Sequence, residues 1–268
     1  MTRGTTPATA LTFVKNSAAS LETCLQSMTW CQEHVLLDGG STDNTLELAA
    51  KYECRVLPQD PRFLNSEGRI IDYAGITNQG ITAAAYPWII ITDSDEYIDH
   101  KLITEMQKHI AINKPEACFV DRLYTMDGHI IKAASTYPNR QIRLFHKEAI
   151  TEFVKIVHER PALRPGIAPI VLPGIQYVPL DPVDDMQRKF LRYLDLETQF
   201  AGGQGWMKWL RLVWNKCIRI TLRIVRIIVQ RLTHRWRDCL PLRYEWLHIW
   251  YPWQIVVRTC PFIYNKKM

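Results

Sequence analysis

The chain lacks most of the signatures that assign a function at once. Its seven cysteines, at 24, 31, 54, 118, 217, 239 and 260, are odd in number and never spaced Cys-x-x-Cys. That gives no zinc signature, argues against a disulfide framework and fits a reducing compartment. No run reaches the roughly 18 uncharged apolar residues expected of a membrane-spanning helix. The opening Met-Thr-Arg-Gly-Thr-Thr-Pro has no long apolar core, so no secretory signal is expected. Gly39-Gly40 ends in neither a Walker Gly-Lys-Ser/Thr nor a dinucleotide glycine pattern. Internal repeats and low-complexity tracts are absent. An apolar fraction of 47% argues against disorder. The expected location is the cytosol or the cytosolic side of a membrane.

Strand-like runs alternate with helical periodicity through the first half. Leu11–Val14, His34–Leu37, Arg55–Leu57 and Trp88–Thr92 read as strands; Ala18–Trp30, Leu46–Tyr52 and Ile70–Ala85 read as helices. This alternation predicts an α/β fold with a mostly parallel sheet covered on both faces. After about residue 115 the strands shorten, at Cys118–Tyr124, His129–Lys132 and Arg140–Phe145.

Two strand ends carry acids. Ile89-Ile90-Ile91-Thr92 runs into Asp93-Ser94-Asp95-Glu96. On an extended segment Asp93 and Asp95 point the same way and can converge on one centre. Paired carboxylates suit Mg²⁺ or Mn²⁺, which commonly bridge to substrate phosphates. An acidic turn capping the next helix would explain the same residues. Asp38-Gly-Gly-Ser-Thr-Asp43 lies at a second strand-to-helix junction, 55 residues upstream of Asp93. Ser41 to Asp43 read as a helix cap. Asp38, directly at the strand end, could accept a hydrogen bond from a nucleobase imide.

These motifs, with Thr12-Phe-Val-Lys-Asn16, Ala74-Gly-Ile-Thr-Asn78-Gln-Gly80, Arg143-Leu-Phe145 and Val157-His158-Glu159, resemble family 2 glycosyltransferases of the GT-A fold. The branch they resemble is the lipopolysaccharide-core glucosyltransferase-like group, over roughly residues 10–200. The resemblance implies an inverting, metal-dependent transfer from a nucleotide-sugar, expected to be a UDP-sugar, to a glycolipid, lipopolysaccharide-core or surface-polysaccharide acceptor. It places Thr12, Phe13, Val14, Asp38, Asn78, Asp93 and Ser94 around the nucleotide-sugar, and Asp93, Asp95 and His158 around Mn²⁺ or Mg²⁺. Glu159 would be the catalytic base, with Asp121 as its rival. Thr77 stands where many relatives carry arginine, and no histidine lies near Tyr177, which bears on donor identity. A noncatalytic membrane-surface or partner-binding protein on a decayed fold is the alternative from another class. A nucleotidyltransferase is a weaker rival, because the basic loop it needs is missing.

The last quarter is chemically distinct. Residues 206–268 hold 13 Lys/Arg against Asp238 and Glu245, a net of +11, and seven of the nine tryptophans; residues 1–205 carry 20 basic and 25 acidic side chains. The expected organisation is a catalytic domain over 1–203 and a basic, tryptophan-rich helical extension over 204–268. Lys208, Arg211, Arg219, Arg223 and Arg226 fall on one helical face. The opposite face carries Trp209, Leu210, Val213, Trp214, Ile220, Ile224, Ile227 and Ile228. A basic amphipathic helix of this kind suits an anionic membrane surface on the cytoplasmic face. Packing on the catalytic domain or on a second copy would also use it; nucleic-acid binding through the arginines is a weaker option.

Overall fold

A computed structural model of the chain describes residues 4–156, 158–200 and 205–261. The elements begin β1 (Thr6–Val14), α1 (Ala18–Ser27), β2 (Cys31–Asp38), α2 (Thr45–Lys51), β3 (Arg55–Pro58), α3 (Tyr73–Ala83) and β4 (Trp88–Asp93). They continue with β5 (Tyr97–Ile98), α4 (His100–Ile112), β6 (Ala117–Met126), β7 (His129–Ile130), β8 (Asn139–His146), β9 (Ile150–Val154), β10 (Arg160–Leu163) and β11 (Ile170–Pro179). Three helices follow, α5 (Val183–Phe200), α6 (Trp206–Thr233) and α7 (Leu242–Arg258). The chain forms two compact units: Met1–Leu123 with Asn139–Pro179, and Tyr124–Pro138 with Leu180–Met268.

In the first unit, strands follow the order β3-β2-β1-β4-β8-β6-β11-β5. Pairings among β1 to β4 are parallel. From β8 onward the sheet turns antiparallel, β8 pairing so with both β4 and β6, and β5 with β11. The loosened pattern after residue 115 is thus the antiparallel half. β1 and β4 are almost continuously buried because both faces of a parallel sheet are covered. Ala10, Trp88 and Ile90 pack against Leu102 and Met106 of α4 on one face. Leu11, Ile89 and Ile91 pack with Ile76 of α3 and Phe153 of β9 on the other. Gly80 lets α3 come down on the sheet: a Cβ there would lie 2.5 Å from a Leu11 methyl. The chain leaves β1 for β2 on one side and later returns as β4 on the other, so β1 marks a topological switch point. In open α/β sheets ligands bind beyond the carboxyl ends of strands at such a point.

The second unit joins the end of β6, paired antiparallel with β7, to the three C-terminal helices. Glu245 of α7, buried, accepts from Ser135 N at 2.8 Å and also from the Ser135 hydroxyl. Tyr244 donates to Asp181 O at 3.0 Å. The expected boundary at 203/204 therefore falls inside this unit, which begins at Leu180 and recruits Tyr124–Pro138.

α6 departs from the expected division of faces. Arg226 donates to Tyr137 O at 2.6 Å and Ser135 O at 3.2 Å, Arg223 donates to His248 O, and Gln230 Nε2 donates to Ala134 O at 3.0 Å. Trp209 Nε1 reaches Val256 O at 3.0 Å. The apolar residues split: Trp209, Val213, Ile220 and Ile227 are half-buried, while Leu210, Trp214, Ile224 and Ile228 are exposed. Apolar residues cover more than half of this helix, so packing one stripe leaves a second uncovered.

Candidate active site at the carboxyl edge of the sheet

Three strand ends lie side by side. Register sets Val14 opposite Asp38 and Phe13 opposite Asp93, so the two acids flank β1, with their strands separated by roughly 10 Å. The loops leaving these strands are stitched together. Asn16 N donates to Ser41 Oγ at 3.0 Å, and Asn16 Oδ1 accepts from Thr42 N at 2.7 Å. Ala18 N donates to Asp43 Oδ2 at 3.1 Å, and Ser94 Oγ to Ser17 Oγ at 3.0 Å. Beneath them, Thr12 Oγ1 sits 2.9 Å from His34 Nε2 and 2.8 Å from Thr92 Oγ1, all three side chains buried. Cys24 joins this buried group, and burial pushes its thiol up to about 12, leaving it an inert packing residue.

Asp38 shapes its own loop. Its carboxylate accepts from Gly40 N at 3.1 Å, Ser41 N at 3.1 Å and Ser41 Oγ at 2.6 Å. Gly40, at φ 83°, supplies the left-handed backbone that this turn needs. Much of the carboxylate's accepting capacity is spent within the turn.

β4 ends at Asp93, and Glu96 N donates to Asp93 O at 3.1 Å, closing a β-turn over residues 93–96. Asp95 therefore lies in a turn, and strand alternation does not set its direction. The turn buries Glu96, 1% exposed, as a hub. Its carboxylate pairs with Arg122 of β6, lies 3.3 Å from Arg143 of β8, and accepts from Gln176 of β11 at 2.6 Å and from Asp93 N at 3.3 Å. Both guanidiniums lean toward Asp93, Arg143 at 3.4 Å and Arg122 at 3.8 Å. Arg143 arrives through a bulge: Cys118 pairs with Leu144 and Phe119 with Ile142, leaving Arg143 as the extra residue. Burial opposes its charge, but Glu96, Asp93 and Glu159 outweigh that and hold its pKa above the usual value.

Glu159 shares this field. Burial raises its pKa, Asp93 adds to the rise, and its own backbone amide, Arg143 and His158 only partly offset it. His158 is exposed, in a left-handed conformation at φ 56°. Asp121, the rival base, instead forms an ion pair with Arg140 directly opposite on β8, at 2.7 Å. Phe13 is half-buried and Val14 buried at the end of β1. Asn78 clamps β9: Nδ2 donates to Phe153 O at 3.0 Å and Oδ1 accepts from Phe153 N at 2.8 Å. It lines a cavity of about 650 Å³ between α3 and β9, together with Asp60, Arg62, Asp72 and Lys155.

The structure thus gathers Asp93, Glu96, Glu159, Arg122 and Arg143. Sequence reasoning missed Glu96 and Arg122 as site residues and gave Arg143 no role. The available signal was parity: Cys118, Val120 and Tyr124 are buried, and Arg122 occupies the same alternating set. Among the described residues no three His, Cys, Asp or Glu side chains form a metal cage. Asp95 and the half-exposed Asp93 still offer hard oxygens of the kind Mg²⁺ or Mn²⁺ takes when substrate phosphates and water supply the remaining ligands.

The chain is 33% identical over 96 residues to the lipopolysaccharide core biosynthesis glycosyltransferase LpsC of Rhizobium meliloti, covering 36% of this chain and 34% of that protein. It is 28% identical over 147 residues to a TPR repeat-containing protein of Synechococcus elongatus, covering 54% and 33%. The chain spans about a third of the length of these curated relatives. A crystal structure of glucosyl-3-phosphoglycerate synthase from Mycobacterium tuberculosis with Mn²⁺, UDP and glucosyl-3-phosphoglycerate is 14% identical, with a TM-score of 0.43 over 67% of this chain and 74% of that one. Glycosyl transferase family 2 matches residues 9–164, more than half of the sequence and the ends of β1, β2 and β4, and the chain belongs to that family.

Proposed function

We propose that the protein transfers a sugar, with inversion, from a nucleotide-sugar donor to a glycolipid, lipopolysaccharide-core or surface-polysaccharide acceptor. The observation that carries this reading is the juxtaposition of Asp38, Asp93 and the Asp93–Glu96 turn around the end of β1, with Glu159 held in the same field. The Gly39–Ser41 turn, shaped by Asp38, and the backbone at Thr12–Val14 would receive base and ribose, the donor expected to be a UDP-sugar. Asp95, with Asp93 and His158, would hold Mn²⁺ or Mg²⁺, which when bound neutralises charge on the departing diphosphate. Glu159 takes the proton from an acceptor hydroxyl. The hydroxyl oxygen then bonds to the anomeric carbon as the bond from that carbon to the diphosphate oxygen breaks, leaving a nucleoside diphosphate. A carboxylate whose pKa burial has raised is a better base for this than an ordinary surface one. Arg122 and Arg143 keep Asp93 in place. The reaction would take place at the cytoplasmic face of a membrane, where a lipid-linked acceptor is presented.

Calorimetric titration with UDP, GDP, ADP and CMP, with and without Mn²⁺, tests this on wild type and Asp95→Asn. Binding of one nucleotide is expected, stronger with metal and lost in the variant. Folded wild-type protein that binds none of them would end the enzyme reading.

A further inference from the structure

α6 presents its uncovered apolar stripe outward, and its chemistry identifies the occupant. The helix has 28 residues, is about 42 Å long, and contains no fully buried residue. Met207, Trp214, Ile218, Val225, Val229 and Leu232 recur every three to seven positions and are exposed, from 42% at Ile218 to 86% at Met207. At 100° per residue these six fall within one narrow sector. The half-buried Trp209, Val213, Lys216, Ile220, Arg223 and Ile227 occupy the opposite sector. Burial depresses the pKa of both Lys216 and Arg223. The helix therefore packs one apolar stripe and leaves a second one uncovered on its opposite side. Tryptophans extend the pattern: Trp236 is 73% exposed just past the helix, and Leu242, Trp246 and Trp253 are exposed on one side of α7.

We propose that this outward stripe of α6 lies in the plane of an anionic phospholipid bilayer, its apolar side chains inserted at the headgroup–acyl boundary. The proposal deepens the membrane location given above by naming the surface and the depth. Charge complementarity selects the occupant. Exposed Lys208, Arg211 and Arg219 run beside the stripe, where they meet anionic headgroups when the stripe inserts. A second copy would bring a like-charged row against them. Exposed tryptophans suit the interfacial layer, one edge apolar and the N–H wet. α6 does not cross the bilayer: among the described residues no helix is long and apolar enough to do so. The hydrogen bonds from Arg226 and Gln230 to backbone carbonyls fix which side of α6 faces out.

The test is sedimentation of the full chain with vesicles of phosphatidylcholine, with and without phosphatidylglycerol, at low and high salt. Wild type is expected to pellet with the anionic vesicles. The triple variant W214E/V225E/L232E, altered only at exposed positions, should bind them at least about a hundredfold more weakly. K208Q/R211Q/R219Q should lose the preference for anionic lipid. Nucleotide titration serves as the folding control for both variants. Wild-type protein that ignores every vesicle would overturn both the inserted stripe and the membrane location. Wild-type binding with an unaffected W214E/V225E/L232E would overturn insertion alone and leave an electrostatic surface contact. A lipid-free dimer, broken by the same three substitutions and without vesicle affinity, would give the stripe to a second copy.

Discussion

In the proposed reaction Glu159 is the base, and burial and Asp93 hold its proton to higher pH than an ordinary glutamate. A base acts only when deprotonated. With a raised pKa, activity should therefore fall with decreasing pH earlier than a normal carboxylate allows. The acid limb of kcat/KM is expected above the usual glutamate range. Glu159→Gln should remove that limb and lower kcat by about 10²–10⁴-fold. Asp121→Asn should leave the limb where it is, since Asp121 is engaged with Arg140. A limb that moves with Asp121 and not with Glu159 would exchange their roles. At this scale part of the candidate site was legible: Asp93 and Asp95 stood out as acids at the end of an apolar strand, whereas Glu159 came only from the resemblance carried by Val157-His158-Glu159. The direction of Asp95 was not legible. Period-two reasoning holds only while the strand lasts, and here the strand ends at Asp93.

Between elements, Glu96 does what no local pattern reveals. One buried carboxylate joins the turn after β4 to Arg122 on β6, Arg143 on β8 and Gln176 on β11. It is the central anion for two guanidiniums whose side chains are each only 9% exposed. Removing one partner of such a group leaves uncompensated buried charge, at a typical cost of about 3–5 kcal/mol. Glu96→Gln should lower the urea midpoint by a corresponding amount with an unchanged m-value. The double variant Glu96→Gln/Arg122→Met should recover part of the loss, because it removes the orphaned charge. If Glu96→Gln unfolds at the wild-type midpoint, the hub contributes nothing to holding these strands. The acid itself was visible as the third member of a run. Its partners were not, because a bulge at Arg143 and pairings across 26 residues to Arg122 and 80 to Gln176 arise only when the sheet assembles. The faces of α6 were misjudged for a related reason. Periodicity finds an apolar stripe, but with two stripes on one helix only the packed partner decides which is covered.

For the whole molecule, the two units should answer acid differently, and the distribution of tryptophan makes this measurable. His248 in the second unit is lowered to about 4 by burial, with Arg223 adding to the effect. Its ring lies 5.7 Å from Phe190 and 6.5 Å from Tyr124, centroid to centroid. A histidine with a depressed folded-state pKa stays neutral in the native unit, while the unfolded chain takes up a proton near pH 6.5. Its contribution to stability is thus complete above about pH 6.5 and is lost as pH falls toward about 4, amounting to at most about 3 kcal/mol. In the first unit, Glu159 has the opposite sign: its raised pKa contributes stability at low pH that is lost as pH rises. Seven of nine tryptophans lie in residues 206–268, so fluorescence reports mainly on the second unit and far-ultraviolet circular dichroism on both. Melting between about pH 7 and about pH 5 should show the fluorescence transition moving down before the dichroism transition, a departure from two-state behaviour. His248→Phe should fit among these aromatic neighbours. It also removes a buried Nε2 that has no hydrogen-bond partner among the described residues, so it should flatten the dependence on pH. Coincident transitions, or a slope that persists in His248→Phe, would mean that the two units unfold as one body or that another group sets their acid response.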